Sequence, residues 1–355
     1  MEPSPPASAP RKAGPPTLKD VAAVAGVSYR TVSNVINGHR YISDVTREKV
    51  EAAIRQVGYR PQLAGRQLRT GRSNLLTLSV PFVSHPYFAQ LAHAVVTQAE
   101  TFGYDVVIDE TRGLLERELR VAAGFRAILT DGILFSPLSI DLARFEAERG
   151  DTPLVLLGER FRSARIDSVV VDNVQSTYDA TASLIGRGRR RLAFLGTVAA
   201  GTIGAAPADL RLRGFLRALE ANDLEVARTI EVSRWDQQHP DGDYSREEGY
   251  ERTTELIADL GDIDGLVCAN DLLAIGALRA FREAGIPVPG RVAVVGWDNT
   301  AEAAYAAPSL STIAPDLDEI ARLAIVALLR RLDEPDAEPQ AASAPYRLVT
   351  RESSG

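Results

Sequence analysis

Five hydrogen-bonding side chains lie close together near the start of the sequence, at a spacing that places them on one face of an α-helix. They are Tyr29, Arg30, Ser33, Asn34 and Asn37. The apolar residues among them, Val32, Val35 and Ile36, fall on the opposite face. Arginine can form two hydrogen bonds with guanine, asparagine can do so with adenine, and an α-helix fits the major groove of B-DNA. The pattern predicts a base-contacting helix, whereas the same face on an isolated helix would indicate only solvated surface.

Two further helices are predicted to hold this one in place. In the first, Thr17 and Asp20 have the spacing of a capping box, and Gly26 ends the helix. Its apolar stripe consists of Leu18, Val21, Val24 and Ala25. Ser28 can cap the second helix and Ser43 the third. The third helix would bury Val50, Ala53, Ile54 and Val57 and end at Gly58.

Charge is unevenly distributed along the chain. The formal net charge is -7, but residues 1–73 hold 12 Lys and Arg against five Asp and Glu, which leaves +7 there and -14 on the remainder. A basic head on an acidic body indicates that a polyanion binds at one end. Charge alone would not distinguish this from solvated surface. Together with the three helices of residues 17–60 it favours a helix-turn-helix DNA-binding unit.

Several classes of protein are not expected. No stretch approaches the roughly 20 apolar residues that span a bilayer, and residues 1–16, rich in Pro, Ala and Ser, lack the apolar core of a secretion signal. We expect that segment to be a disordered tail. Cys268 is the only cysteine, which fits a reducing, cytoplasmic location. The four histidines lack metal-ligand spacing and no nucleotide or hydrolase motif occurs, so we expect no metal, no cofactor and no catalytic residue.

From residue 74 onward, apolar runs of strand length alternate with amphipathic segments of helix length. Nine strands are predicted, at residues 75–81, 104–109, 131–137, 153–159, 168–173, 191–196, 229–235, 264–271 and 291–299. Such alternation forms parallel sheets covered by helices on both faces, and about 280 residues suffice for two of them. The predicted class is therefore α/β.

Residues 17–61, TLKDVAAVAGVSYRTVSNVINGHRYISDVTREKVEAAIRQVGYRP, resemble the DNA-binding headpiece of the lactose repressor/galactose repressor (LacI-type) family of bacterial transcription regulators. The resemblance extends over essentially the whole chain after residue 16. It implies that the major groove is faced by Leu18, Tyr29, Arg30, Ser33 and Asn34. It places near phosphates Thr17, Ser28, Asn37, Ser43 and Thr46. Many members have arginine where Asn34 stands, so we expect adenine rather than guanine to be preferred there.

The basic segment of residues 61–73 is predicted to be a hinge helix or linker that folds conditionally. Gly65 lowers helix stability by about 1 kcal/mol relative to alanine. The family resemblance implies a hinge helix that forms on operator binding and inserts a leucine into the minor groove, and Leu68 matches that leucine. Gln62 stands where asparagine is usual. Gly65 stands where alanine is usual, and this second change should make hinge formation depend more strongly on DNA. A plain flexible linker would give Leu68 no special role.

The body resembles the family's effector domain, whose fold is that of periplasmic sugar-binding proteins, with a ligand in the cleft between two α/β lobes. Lobe 1 is expected at about 74–172 plus 314–335, and lobe 2 at about 173–298 plus 336–355. Ligands of parallel sheets lie beyond the carboxyl ends of the strands. The candidates near those ends are Tyr87, Phe88, Ser136, Glu159, Asn270, Trp297 and Asp298, to which the resemblance adds Arg211.

Some of these assignments have alternatives. The resemblance places Asn270 and Asp298 at ligand-bonding positions. Glu159 and Trp297 could equally lie at the rim of the cleft. Asp271 is expected only to cap the helix that follows it.

The resemblance implies a transcriptional regulator whose affinity for operator DNA is controlled by a small effector. We expect it to be a repressor. Acid, amide, arginine and aromatic groups suit a sugar or sugar phosphate, and purines and other small polar ligands would use the same groups. One headpiece contacts only a half-site, so we expect a homodimer on a palindromic operator. The final segment, YRLVTRESSG, has no leucine heptads, and we expect no C-terminal tetramerisation.

Two other classes share part of this pattern. A ligand-binding protein of transport or chemosensing would have the same body but would need a signal peptide. A sugar-processing α/β enzyme would need a clustered catalytic set, which the sequence does not show.

Overall fold

The protein is described from a computed structural model that covers residues 16–36, 41–59, 72–124, 130–161, 163–198, 206–232 and 244–355. The chain divides into two compact units, Met1–Ser73 and Asn74–Gly355. No helix among these residues is long and apolar enough to cross a membrane.

The described part of the first unit contains three helices, α1 (Leu18–Ala25), α2 (Tyr29–Ile36) and α3 (Asp44–Val57). The Asp20 carboxylate accepts hydrogen bonds from the backbone N–H and the hydroxyl of Thr17, at 2.8 and 2.7 Å. Ser28 accepts from the backbone N–H of Thr31 at 3.1 Å and begins α2. Because these local bonds satisfy helix ends that packing would leave unpaired, the start of each helix follows from the sequence.

The core of the first unit is small and aliphatic. Its fully buried members are Val21, Val32, Val35, Val50 and Ala53. Val24, expected in the apolar stripe of α1, is instead 47% exposed. The reason is rotational: on a 3.6-residue helix, Ala25 lies more nearly above Val21 than Val24 does, and Ala25 packs against the core.

The second unit contains twelve strands in its described residues. They are β1 (Leu75–Val80), β2 (Asp105–Glu110), β3 (Gly132–Phe135), β4 (Leu154–Leu157), β5 (Asp167–Val171), β6 (Leu192–Thr197), β7 (Arg228–Glu231), β8 (Gly265–Cys268), β9 (Ala293–Trp297), β10 (Ser311–Pro315), β11 (Ala341–Ala344) and β12 (Tyr346–Val349). The helices are α4 (Pro86–Thr101), α5 (Leu115–Ala122), α6 (Leu142–Glu148), α7 (Asn173–Gly186), α8 (Ala206–Glu220), α9 (Arg246–Ala258), α10 (Asp271–Glu283) and α11 (Leu317–Asp333). Short 3-10 turns lie at Ala301–Ala304 and Glu352–Ser354.

Each lobe is built on one six-stranded sheet. Lobe 1 has the order β11-β5-β4-β3-β1-β2 with all strands parallel, and lobe 2 has the order β12-β10-β9-β8-β6-β7 with only β12 antiparallel. Side chains alternate between the two buried faces of the strands. In β3, for example, Ile133 and Phe135 join one apolar cluster and Leu134 joins the other. The predicted α/β class with parallel sheets is confirmed.

The nine predicted strands coincide with β1 to β9, but β10, β11 and β12 were not predicted. These three strands shift the predicted boundaries of the two lobes. The segment 341–344, assigned to lobe 2, pairs with β5 in lobe 1, and residues 314–315, assigned to lobe 1, end β10 in lobe 2. The chain therefore crosses between lobes after β5, after β10 and between β11 and β12. Strand β11 carries a weak signal because it is a small-residue edge strand, largely exposed, without apolar alternation.

Candidate functional site

The carboxyl ends of strands from both lobes surround one cavity, which we call the interlobe cavity. The volume of this cavity is about 210 Å³. All eight predicted effector-binding residues line it: Tyr87, Phe88, Ser136, Glu159, Arg211, Asn270, Trp297 and Asp298. That these residues bind an effector stays a prediction, but the structure brings the whole set to one place, including Arg211 from helix α8.

Arg211 lies flat against an aromatic ring in this cavity. Its guanidinium carbon is 3.7 Å from the centroid of the Trp297 ring. Its Nε donates to the side-chain oxygen of Asn173 at 2.7 Å, and its Nη1 donates to the carbonyl of Ala269 at 2.5 Å. The Trp297 indole N–H donates in turn to the hydroxyl of Ser176 at 3.1 Å. Stacking and fixed hydrogen bonds hold the guanidinium in one orientation on the cavity wall.

Asp298 is the strongest candidate for a ligand anchor. Its side chain is buried, with 6% of the residue exposed, and its backbone has φ of 124°. Within the described part of the chain, its carboxylate accepts no hydrogen bond from protein. Burial raises the pKa of Asp298 well above its ordinary value, and the charge of Arg211 offsets only part of this effect. A hydroxyl-bearing ligand in the cavity could donate a hydrogen bond to this carboxylate.

Glu159 is a second buried carboxylate on the cavity wall. It accepts a hydrogen bond from the backbone N–H of Val171 at 2.6 Å. Burial raises the pKa of Glu159, and the Val171 N–H and the Arg211 charge oppose that rise. Burial also raises the pKa of the Tyr87 hydroxyl, and the Glu159 charge adds to that rise. Tyr87 is therefore a neutral hydroxyl that can both donate and accept hydrogen bonds.

The residue that caps helix α10 is Asn270 and not Asp271. Asn270 caps α10, because its side-chain oxygen accepts from the backbone N–H of Leu273 at 2.9 Å, while its amide nitrogen donates to the carbonyl of Tyr244 at 3.1 Å. The prediction that Asp271 caps this helix was wrong. Asp271 is the first helical residue, and its fully buried carboxylate accepts hydrogen bonds from Thr300 and Thr312.

The structure adds cavity residues that sequence reasoning missed, among them Phe82, His85 and Tyr244. His85 accepts a hydrogen bond at Nδ1 from the backbone N–H of Tyr87 at 3.3 Å. Burial and the charges of Arg246 and Arg211 lower the pKa of His85 to about 4, so its ring is neutral at pH 7. His85 sits two residues before Tyr87 and could have been found from that position, whereas Tyr244 is far from any predicted strand end.

A loop of lobe 1 that lines the cavity is fixed by one buried carboxylate. Glu118 of α5 is fully buried and accepts hydrogen bonds from three consecutive backbone N–H groups, those of Leu138, Ser139 and Ile140, at 2.7, 2.8 and 2.7 Å. Leu138 itself lines the cavity, two residues after the cavity residue Ser136. Glu118 therefore sets the position of this wall.

In the first unit, α2 exposes the predicted base-contacting face. Tyr29 is 50% exposed and Arg30 is exposed, while Ser33 and Asn34 are half-buried. Leu18 is half-buried and packs against the small core. Among the residues predicted near phosphates, Thr17, Ser28 and Ser43 all take part in helix capping, and Thr46 donates its backbone N–H to Ser43 at 3.4 Å. Asn37 and Leu68 lie outside the described residues.

No three His, Cys, Asp or Glu side chains come together as a metal site in the described ranges. A three-helix unit with a partly exposed polar face on α2, and a two-lobed body with a polar and aromatic cavity, are the two features expected of a DNA-binding regulator with a ligand site.

Comparison with known proteins agrees with this class. Residues 17–62 match the family described as bacterial regulatory proteins, lacI family, and residues 181–354 match the periplasmic binding protein-like domain. The chain is 30% identical over 342 residues to the HTH-type transcriptional repressor PurR of Photobacterium profundum, which covers 95% of this chain and 98% of that protein. The chain therefore belongs to the lacI family. It is a transcriptional repressor of that family and not an enzyme.

Two solved structures extend the comparison. One is the Lac repressor dimer bound to operator and the anti-inducer ONPF, with a TM-score of 0.80 and 26% identity over 96% of this chain and 99% of the other. The other is the transcriptional regulator CelR–cellobiose complex, with a TM-score of 0.68 and 28% identity over 95% of this chain and 99% of the other. The predicted family is confirmed.

Proposed function

We propose that this repressor binds a palindromic operator as a homodimer and that a sugar or sugar derivative in the interlobe cavity controls its operator affinity. The observation that supports the effector part is the arrangement of the cavity itself. Arg211 stacked on Trp297 lies in the same cavity as the carboxylates of Asp298 and Glu159, between aromatic and aliphatic walls.

The cavity chemistry favours an uncharged ligand with several hydroxyl groups. Its charged side chains balance in the described residues, with Arg160 and Arg211 against Glu159 and Asp298. Carboxylate, guanidinium and phenol groups can bond neighbouring hydroxyls, and the faces of Phe88 and other rings can pack on the C–H faces of a sugar. The cellobiose complex of a structurally similar regulator supports the same class of ligand.

On the DNA side, Arg30 and Asn34 are proposed to select the operator. Both lie on α2, and Arg30 is exposed while Asn34 is half-buried. Guanine for Arg30 and adenine for Asn34 are the preferred bases. Leu68, in the predicted hinge segment of residues 61–73, is proposed to insert into the central minor-groove step. The Lac repressor dimer on its operator supports two-fold binding, because one recognition helix spans only a half-site.

Coupling between effector and DNA is proposed to be a population shift. Lobe 2 contributes Arg211 and Asp298, and lobe 1 contributes Tyr87 and Glu159. A ligand that bonds both groups favours the arrangement of lobes that brings them together. Since the chain passes from residues 61–73 directly into β1 of lobe 1, a change in lobe 1 can alter the hinge segments of the dimer.

A two-part experiment tests the proposal. A thermal-shift screen of sugars, sugar phosphates and nucleosides should yield a sugar that stabilises the protein. A gel-shift titration on promoter DNA flanking its own gene should then show binding that weakens steeply with salt and changes when that sugar is added. Stabilisation by nucleosides alone would contradict the sugar assignment, and salt-insensitive or absent DNA binding would contradict the operator assignment.

A further inference from the structure

The backbone around Asp298 adopts an uncommon conformation that needs support. Asp298 has φ of 124° and Asn299 has φ of 53°, both in the region that non-glycine residues rarely occupy. Such conformations cost free energy and persist where surrounding contacts fix them. Two backbone contacts to β10 are present. The Asp298 N–H donates to the carbonyl of Ile313 at 2.9 Å, and the Asn299 N–H donates to the hydroxyl of Thr312 at 3.3 Å.

Asp271 supplies the buried anchor beneath this turn. One of its carboxylate oxygens accepts from the backbone N–H of Thr300 at 2.7 Å and from the Thr300 hydroxyl at 3.3 Å. The other accepts from the hydroxyl of Thr312 at 2.5 Å. The Asp271 carboxylate therefore links Thr300, which follows the turn, to Thr312 of β10, whose hydroxyl accepts from the turn.

The strand next to Asp271 is shaped to admit this carboxylate. A Cβ atom at Gly296 would lie 2.3 Å from an oxygen of Asp271, closer than any real contact. Gly296 lies two residues before Asp298 in β9. The close approach of Asp271 to β9 thus depends on glycine at that position.

Arg351 in the last segment of the chain holds the turn from the other side. Its Nη2 donates to the side-chain oxygen of Asn299 at 2.8 Å, and its Nη1 donates to the carbonyl of Leu310 at 2.6 Å. Its backbone N–H also donates to the hydroxyl of Ser311 at 2.7 Å. The C-terminal segment is thereby fixed to β10 and to the residue that directly follows Asp298.

We propose that Asp271 and Arg351 are positioning residues that hold Asp298 in its ligand-facing conformation. Neither side chain lines the interlobe cavity. The inference rests on the proposed function, in which Asp298 bonds the effector. It assigns to the C-terminal segment a part in effector affinity, exerted through Asn299.

Amide hydrogen exchange on the full-length protein, resolved to single residues, tests the geometry without any ligand. In Asp271→Ala, exchange of the Asp298 and Asn299 amides should rise roughly tenfold or more, because Thr312 and Thr300 lose their common acceptor, while the amides of β8 should change little. The matched control is Asp264→Asn. Asp264 also accepts backbone N–H groups, those of Arg190 and Arg191, but at the opposite end of β8.

If Asp271 only stabilised lobe 2 as a whole, Asp271→Ala would raise amide exchange across that lobe. If amide exchange at Asp298 and Asn299 were unchanged in this variant, Asp271 would have no positioning role. Either result overturns the proposal. If Asp271→Ala does not fold, Thr312→Val removes the same hydroxyl link with little change of shape, and the same two amides should respond.

A binding experiment separates this inference from the function on which it rests. With cellobiose as the probe, Arg351→Gln and Asp298→Asn should each weaken binding, and the double variant should bind no more weakly than Asp298→Asn alone. Additive losses would show that Arg351 does not act through Asp298. Absence of cellobiose binding by the unaltered protein would count against the sugar class in the proposed function, and the exchange result would still decide the positioning role.

Discussion

Replacing Asp298 by asparagine should stabilise the unliganded protein and weaken its response to the effector. The carboxylate is buried, accepts no hydrogen bond from the described residues, and has a pKa raised mainly by burial. Asparagine has nearly the same shape and tolerates positive φ well. It replaces a group whose charged form is disfavoured by burial with a neutral one.

The size of the effect follows from the cost of holding a carboxylate in a buried position. That cost exceeds the cost of holding a neutral amide there by about 1–2 kcal/mol. For a domain of this size the gain corresponds to a rise in Tm of roughly 2–8 °C. Loss of a charged acceptor should weaken effector binding by about 10- to 150-fold for each hydrogen bond that is lost.

The change of stability with pH tests the same assignment independently. Because the folded pKa of Asp298 lies above its ordinary value of 3.8, the folded protein retains a proton that the unfolded chain releases. Stability should therefore fall as pH rises from about 3.8 through the folded pKa. Asp271, whose pKa burial raises to about 6, contributes a fall of the same sign. Asp298→Asn should remove its own share and leave that of Asp271.

Calorimetry across pH 4–8, with and without the effector found in the screen, measures both effects. The matched control is Asp316→Asn, which alters a carboxylate that caps α11 by accepting from the backbone N–H of Glu319 at 3.0 Å. The control should lower Tm and keep the effector-induced shift. The reasoning is refuted if Asp298→Asn lowers the Tm of the unliganded protein, or if the effector stabilises it as strongly as before.

Three further outcomes are expected. Glu118→Gln places an amide donor against the N–H groups of residues 138–140, so we expect a loss of about 2–4 kcal/mol in the free energy of unfolding, measured by denaturant titration; a loss below about 0.5 kcal/mol would contradict the role of Glu118. Asn34→Arg should shift the preferred base at one operator position from adenine to guanine in a selection from random DNA, and an unchanged preference would remove Asn34 from base contact. Leu68→Ala should weaken specific operator binding far more than nonspecific binding in gel-shift titrations; equal losses would exclude minor-groove insertion.

Local rules were sufficient for much of the fold. The capping residues Thr17, Ser28 and Ser43 and the stop at Gly26 follow from side-chain chemistry within a few positions, and the structure shows them as expected. The apolar runs of β1 to β9 are long and buried enough to be recognised. Strand β11 was missed because its partner β5 is distant in sequence and β11 offers no apolar alternation.

The candidate site was predictable where strand ends determine it. Ser136, Glu159 and Asp298 reach the cavity because carboxyl ends of parallel strands share one edge of each sheet. Arg211 came from the family resemblance, since nothing in its own helix distinguishes it from neighbouring arginines. The error at Asp271 has a physical cause: the residue before it, Asn270, also caps well, and only the tertiary contact with Thr300 decides which of the two points inward.

We propose that occupancy of the interlobe cavity controls operator binding. Fluorescence anisotropy with a labelled operator, at fixed salt, with and without the identified effector, tests it for the unaltered protein and for Arg211→Ala. We expect the effector to change the operator Kd of the unaltered protein by about tenfold or more. Arg211→Ala should bind operator with nearly the same Kd as the unaltered protein and show no response to effector. An effector response that survives in Arg211→Ala, or an operator Kd that no cavity ligand changes in the unaltered protein, would contradict the account.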